Sequence, residues 1–313
     1  MSYFSILIPV YNQVGKMDRC IESVKAQTFT DFEVIMVDDG STDGSYEMLR
    51  EFEASDDRFH AVRYEENGSL IKARYTGMER ASGEVVLFLD SDDYLLDVAL
   101  ERIHDRFEET DPDIVCFGFV TEPDGEKVAP VHIDDIIEAI HKKTIYPTIW
   151  KNAYKRTVTD RLVETTKPFY CNMGEDVYFS HVLFTFGKKI DYVDDILYYY
   201  QRDTGMSSPT GVPEFNPSRF RKYITDATQA ATHTVDFIEK YNPEKSETTK
   251  KAVSNMSKFV LMQHFMFEKD YRIIVQYIME LKNMGCEELF DYACNISLKR
   301  KVYFDSMNEL EDQ

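Results

Sequence analysis

The stretch LFLDSDDYLL, residues 87–96, interrupts an apolar run with Asp90, Ser91, Asp92 and Asp93 and then resumes it. Three carboxylates in four positions repel one another, so they call for a positive charge from elsewhere in the fold or from a ligand. The apolar part decides the architecture. EVVLFLD (84–90) is a continuous β-branched and aromatic run, the pattern of a strand buried on both faces. It recurs in YFSILIPV (3–10), FEVIMVDD (32–39), FHAVRY (59–64) and DIVCFGFV (113–120). Between these runs, apolar residues fall at helical spacing in VGKMDRCIESVKAQ (14–27), GSYEMLREFEA (44–54), SLIKARYTGMERAS (69–82) and DVALERIHDRFEE (97–109). Buried strands alternating with amphipathic helices predict an α/β chain with a parallel sheet and helices on both faces.

In such sheets ligands gather at the carboxyl ends of the strands. Polar clusters stand at three of those ends: Tyr11-Asn12, Asp38-Asp39 and Asp90 to Asp92. The middle of the chain, about 120–215, reads as irregular. EPDGEK (122–127) is a turn, GEDVYFSHVLFTF (174–186) opens a helix on two carboxylates, and ILYYYQRD (196–203) is strand-like. From about 216 the pattern is helical to the end, after the Pro-, Gly- and Ser-rich SSPTGVPEFNP (207–217). The expected organisation is a domain over 1–215, with halves at about 1–110 and 111–215, followed by a helical region over 216–313.

The 313 residues carry a formal net charge of −20, which argues against a nucleic-acid surface and against docking on an anionic membrane by charge alone. The five cysteines (Cys20, Cys116, Cys171, Cys286, Cys294) have no C-x-x-C or zinc spacing, and most sit in apolar surroundings. Buried reduced thiols, a reducing compartment and a cytoplasmic protein are expected, since the opening MSYFSILIPVYN lacks a basic signal-type start.

Asp90-Ser91-Asp92 offers hard oxygen ligands that suit Mg²⁺ or Mn²⁺, a cation that joins protein carboxylates to substrate phosphates. A polar turn capping the next helix accounts for the same short pattern. Asp38 to Asp43 has a turn reading too, although capping does not explain two adjacent carboxylates at a strand end, where one can accept from a nucleobase N–H. Glu175 and Asp176 gain from the helix dipole in any case; the functional alternative is a general base with a neighbour that holds the pocket. Arg74, inside a helix, is either solvated or a phosphate or base contact. Arg202 and Ser207, in YYYQRDTGMSS, are candidates for an anion-binding loop.

Taken in order, SILIPVYN, SVKAQTFTDFEVIMVDDGSTDGS, ARYTGMERASGEVVLFLDSDD and GEDVYFSHVLF resemble glycosyltransferase family 2, inverting nucleotide-sugar transferases of the GT-A fold, a Rossmann-like, mostly parallel sheet flanked by helices. The likeness is close over 4–110 and looser over 146–205. It implies that Pro9, Tyr11 and Asp39 line the nucleobase pocket with Arg74 on the nucleotide. It further implies that Asp90 and Ser91 meet the donor, that Asp92 binds the metal, and that Asp176 is the catalytic base beside Glu175. TIWKNAYKR resembles the segment beneath the acceptor cleft, which makes Trp150 and Lys151 acceptor-side candidates. Tyr75 stands where the family often has Asn.

The expected activity is metal-dependent transfer from a nucleoside-diphosphate sugar to a hydroxyl of a glycan, glycolipid or cell-wall or capsular polysaccharide. Uridine diphosphate is the expected carrier, because Asp39 can accept from a pyrimidine imide N–H. Two other readings stand beside it. One is a sugar-nucleotide-binding scaffold without turnover, against which the intact D-x-D and Glu-Asp pair count. The other is a nucleotidyltransferase, against which the missing Gly-rich basic loop counts. The C-terminal helices are expected to pack on the first domain, with self-association or a seat at the inner face of a membrane as the alternatives.

Overall fold

Strand β1 (Phe4–Val10) is buried at all seven of its positions, as its unbroken apolar run requires. The computed structural model describes residues 2–202, 216–254, 256, 258, 261 and 271–297. The first half alternates as expected: β1, α1 (Asp18–Lys25), β2 (Phe32–Asp38), α2 (Ser45–Ser55), β3 (Phe59–Arg63), α3 (Leu70–Arg80) and β4 (Val85–Phe88). Next come β5 (Tyr94–Leu95), α4 (Ala99–Thr110), β6 (Ile114–Glu122), β7 (Glu126–Val128), α5 (Ile136–His141), β8 (Asn152–Lys155), α6 (Arg156–Thr165), α7 (Glu175–Phe186) and β9 (Ile190–Gln201). Helices α8 (Pro217–Tyr241), α9 (Ser246–Val253) and α10 (Tyr271–Asn283) follow, with a 3-10 turn at Pro243–Lys245 and a further helical stretch at 287–297.

The pleat divides β1 between two cores. Ile6, Ile8 and Val10 pack with α1 and α4 on one face of the sheet, and Leu7 packs with α3, α6 and α7 on the other. Strand order is β3-β2-β1-β4-β8-β6-β9-β5, with β7 paired on β6. The first four are mutually parallel. β8 opposes both of its neighbours, so β6 and its parallel partner β9 run with the first four. The sheet is therefore mostly parallel, as expected, with the antiparallel β8 set among its parallel strands. The short NAYK of β8 carries no run long enough to announce a strand, and it is recruited by pairing with β4 and β6. The segment read as irregular also contains two helices, α5 and α6, that the pattern did not announce.

The C-terminal helices pack on the first domain where they are described. Phe237, toward the C-terminal end of α8, meets Phe186 of α7 edge-on at 5.4 Å, and the N-terminal half of α8 buries Phe220, Ile224 and Ala227 against Ile274, Tyr277 and Leu281 of α10. Among the described residues no helix is long and apolar enough to cross a membrane. All five cysteines are free, with Cys20, Cys116 and Cys171 buried.

Gly174 sets the start of α7 at φ +89°, where an L side chain is strained. A Cβ there would come within 2.5 Å of Met256 Cε, the flexible end of a side chain that can swing aside. The backbone is the larger cost, about 1–2 kcal/mol. Gly174→Ala is expected to lower thermal stability by that amount in a melting experiment; an unchanged melt would mean that the helix start adapts.

Candidate active site

The strand ends do converge. Tyr11 after β1, Asp39 after β2 and Asp90 to Asp93 after β4 line one cleft of about 720 Å³, together with Pro9, Arg74, Trp150, Glu175 and Asp176. Glu175 and Asp176 come from the first turn of α7 and line the same cleft.

The charge that meets the carboxylates of residues 90–93 is Arg74. Its side chain is 1% exposed, and its guanidinium reaches three acids: Nη2 donates to Asp90 at 3.0 Å, and Nη1 donates to Glu175 at 3.1 Å and Asp176 at 3.3 Å. Burial opposes the charged guanidinium, but Asp90, Asp176 and Glu175 outweigh it and hold Arg74 protonated. Burial raises both acids of α7. Asp176, further repelled by Glu175, is pushed up to about 8, while Arg74 limits the rise. A carboxyl held there is poised to exchange a proton near neutrality.

Asp39 is 3% exposed and already engaged. One oxygen accepts from Gly68 N at 2.7 Å, and the other accepts from Ser69 N at 3.0 Å and Asn67 Nδ2 at 2.8 Å. It orders the loop that starts α3 while facing the cleft. Gly40, at φ +75°, allows that loop to approach, since a Cβ would lie 2.8 Å from Asn67 N. Asp93 turns inward, as its place beside two other acids suggests. It accepts from Tyr198 Oη at 2.6 Å and Gln201 N at 2.7 Å, and burial drives its carboxyl well upward. Asp90 and Asp92 are left facing the cleft. Among the described residues no three or more His, Cys, Asp or Glu stand together as a metal-binding group. A cation here would take few protein ligands, all hard oxygens, and draw the rest from phosphate and water, which fits Mg²⁺ or Mn²⁺.

Trp150 lines the cleft, stacked on Tyr198 at 4.6 Å and on Tyr200 at 5.3 Å. Tyr198 also receives Asp90 N at 3.3 Å, so this wall is tied to the acidic loop. Lys151, in the turn between Trp150 and β8, lines a separate, smaller cavity to which Trp150 also contributes. Arg202 does not reach the site: its guanidinium pairs with Asp124 at 2.6 Å and Glu126 at 3.3 Å beside the β6–β7 turn. Ser207 lies outside the described residues. Asn67, Asn172, Lys143 and His181 also line the cleft and had no motif to announce them. Asn172 accepts from Leu70 N at 2.8 Å, tying the start of α3 to the approach to α7. Tyr75, at the position where the family often has Asn, is buried and bonded to Thr166 and Tyr178.

Comparison with known proteins agrees with this geometry. Glycosyltransferase GlyA of Streptococcus pneumoniae is 28% identical over 217 residues, covering 65% of this chain and 31% of GlyA. Poly(ribitol-phosphate) beta-glucosyltransferase of Bacillus spizizenii is 29% identical over 220 residues, 68% of this chain and 34% of that enzyme. The chain thus spans about a third of the length of these curated relatives. The crystal structure of S. aureus TarS 1–349 in complex with UDP-GlcNAc superposes with a TM-score of 0.65 at 20% identity, over 90% of this chain and 80% of that one, which shows a shared fold. The model of Glycosyl transferase family 2 matches residues 5–174, more than half of the chain and the whole span from β1 to the start of α7. This chain belongs to glycosyl transferase family 2.

Proposed function

We propose that the chain moves a sugar from a uridine-diphosphate sugar to a hydroxyl of a glycan, glycolipid or cell-wall or capsular polysaccharide, with inversion and with the aid of Mg²⁺ or Mn²⁺. The observation that carries this reading is the single cleft in which Asp90 and Asp92 face Asp176 across Arg74. Relatives that act on poly(ribitol phosphate) or bind UDP-GlcNAc support the substrate classes.

Pro9 and Tyr11 flank the nucleobase, and Asp39 has a role in choosing it. A carboxylate has about four lone-pair sites. Three are used on Asn67, Gly68 and Ser69, which leaves one for a pyrimidine imide N–H. Asp90 and Ser91 meet the ribose and sugar. Asp92 would hold a divalent cation, which would offset the charge on a departing diphosphate. On the acceptor side, Trp150 offers its face to a sugar ring. Asp176 accepts the proton of the acceptor hydroxyl as that oxygen bonds to the anomeric carbon and the bond to the diphosphate breaks. Glu175 shares Arg74 with Asp176 and keeps the base carboxylate from turning away.

The base works only when deprotonated. With its carboxyl held near 8 by burial and Glu175, transfer should rise with pH through that value and level off above it. Asp176→Asn should cut transfer about 100- to 10,000-fold and abolish this rise, while isothermal titration finds UDP binding intact. Near wild-type transfer by the variant would remove Asp176 from the mechanism.

Metal removal gives an independent check. Treatment with EDTA, or the substitution Asp92→Ala, should remove both turnover and diphosphate affinity, with Mn²⁺ restoring only the EDTA-treated wild type. Full turnover in a metal-free sample would contradict the role given to Asp92.

A further inference from the structure

Beside the main cleft lies a second cavity of about 180 Å³, and Tyr146, Pro147, Thr148 and Trp150 form a wall common to both. Its lining is mostly apolar, yet three polar groups face it with little to bond to. Ser180 of α7 is fully buried, and its Oγ has no hydrogen-bond partner. The buried Oγ1 of Thr148 also lacks one. The Lys151 ammonium donates to the Tyr146 carbonyl at 3.5 Å, lies 5.9 Å from the centre of the Phe119 ring, and forms no ion pair among the described residues. Burial lowers its pKa, while Cys116 and Asp176 oppose the shift. Unpaired buried polar groups cost about 1–3 kcal/mol each, so a ligand that satisfies them is favoured.

We propose that this cavity is an acceptor subsite for an acidic substituent, a carboxylate or phosphate, held by Lys151 with Ser180 and Thr148. The inference rests on the transferase reading and adds an acid-bearing acceptor to it. The acceptor spans the shared wall: its hydroxyl lies in the main cleft near Asp176, and its acidic group enters past Tyr146. The cavity holds one compact group and no run of sugar rings. The anion would meet an ammonium and two hydroxyls, the charge-assisted set that makes a buried anion tolerable.

The test uses the full chain saturated with UDP and Mn²⁺, so that the diphosphate site is filled. Glucose, glucuronate and glucose 6-phosphate are titrated in turn and followed by protein NMR. At least one acidic sugar should bind about tenfold or more tighter than glucose, the size of one charge-assisted contact. The preferred one identifies the anion as carboxylate or phosphate. Lys151→Met should erase the preference, and Ser180→Ala should weaken it. Equal binding of all three sugars by the wild type, or a preference that survives Lys151→Met, overturns the proposal. The wild-type comparison decides even where a variant does not fold. Hydrolysis of UDP-sugars, measured on the same sample, separates the two claims: turnover without acid preference sinks only the subsite, and absent turnover sinks the transferase reading.

Discussion

A single buried guanidinium joins the two halves of the site. Arg74 arrives on α3, Asp90 on the loop after β4, and Glu175 and Asp176 on α7, about a hundred residues further along the chain. A charge that deep is tolerated only when paired and hydrogen-bonded, and the acids need it as much as it needs them. The end of β4, helix α3 and the start of α7 are therefore bound to one another by charge as well as by packing. A site made this way is preorganised: Asp90 and Asp176 are held in register by the same guanidinium before any ligand arrives.

The crowded acids at residues 90–93 are turned in different directions. Asp93 turns inward to Tyr198 and Gln201, Asp90 is shared with Arg74, and Asp92 faces the cleft. A polar turn would need no such division. Trp150, stacked on Tyr198, extends the same network to the acceptor wall, so a change at residue 198 would be felt on both sides of the cleft.

Much of this was legible in the sequence. Continuous apolar runs such as ILIPV and VVLFLD identify the parallel strands, and the polar residues that follow them mark the edge where the cleft forms. What sequence could not supply was tertiary partnership. Arg74 on a helix is compatible with a solvated face, and only the fold shows that three acids close over it. Arg202 has the composition of an anion-binding residue, yet the β6–β7 turn offers it two carboxylates first. Lys151 follows Trp150 directly, yet the turn they share leaves Lys151 lining a second cavity and not the main cleft. β8 is too short to carry a pattern of its own and exists because β4 and β6 present edges to it.

The dependence on Arg74 is tested most directly by thermal melts of wild type and Arg74→Met from pH 5 to pH 9. Without the guanidinium, Asp176 and Glu175 would rise further above their unfolded values and stay protonated to higher pH in the folded state. The variant's deficit should then be small in acid, where these carboxyls are neutral, and grow as the pH rises and they ionise, reaching about 3–5 kcal/mol. A deficit that is constant across this range would contradict the account, because it would mean that Arg74 contributes packing and not the charge that holds the site together.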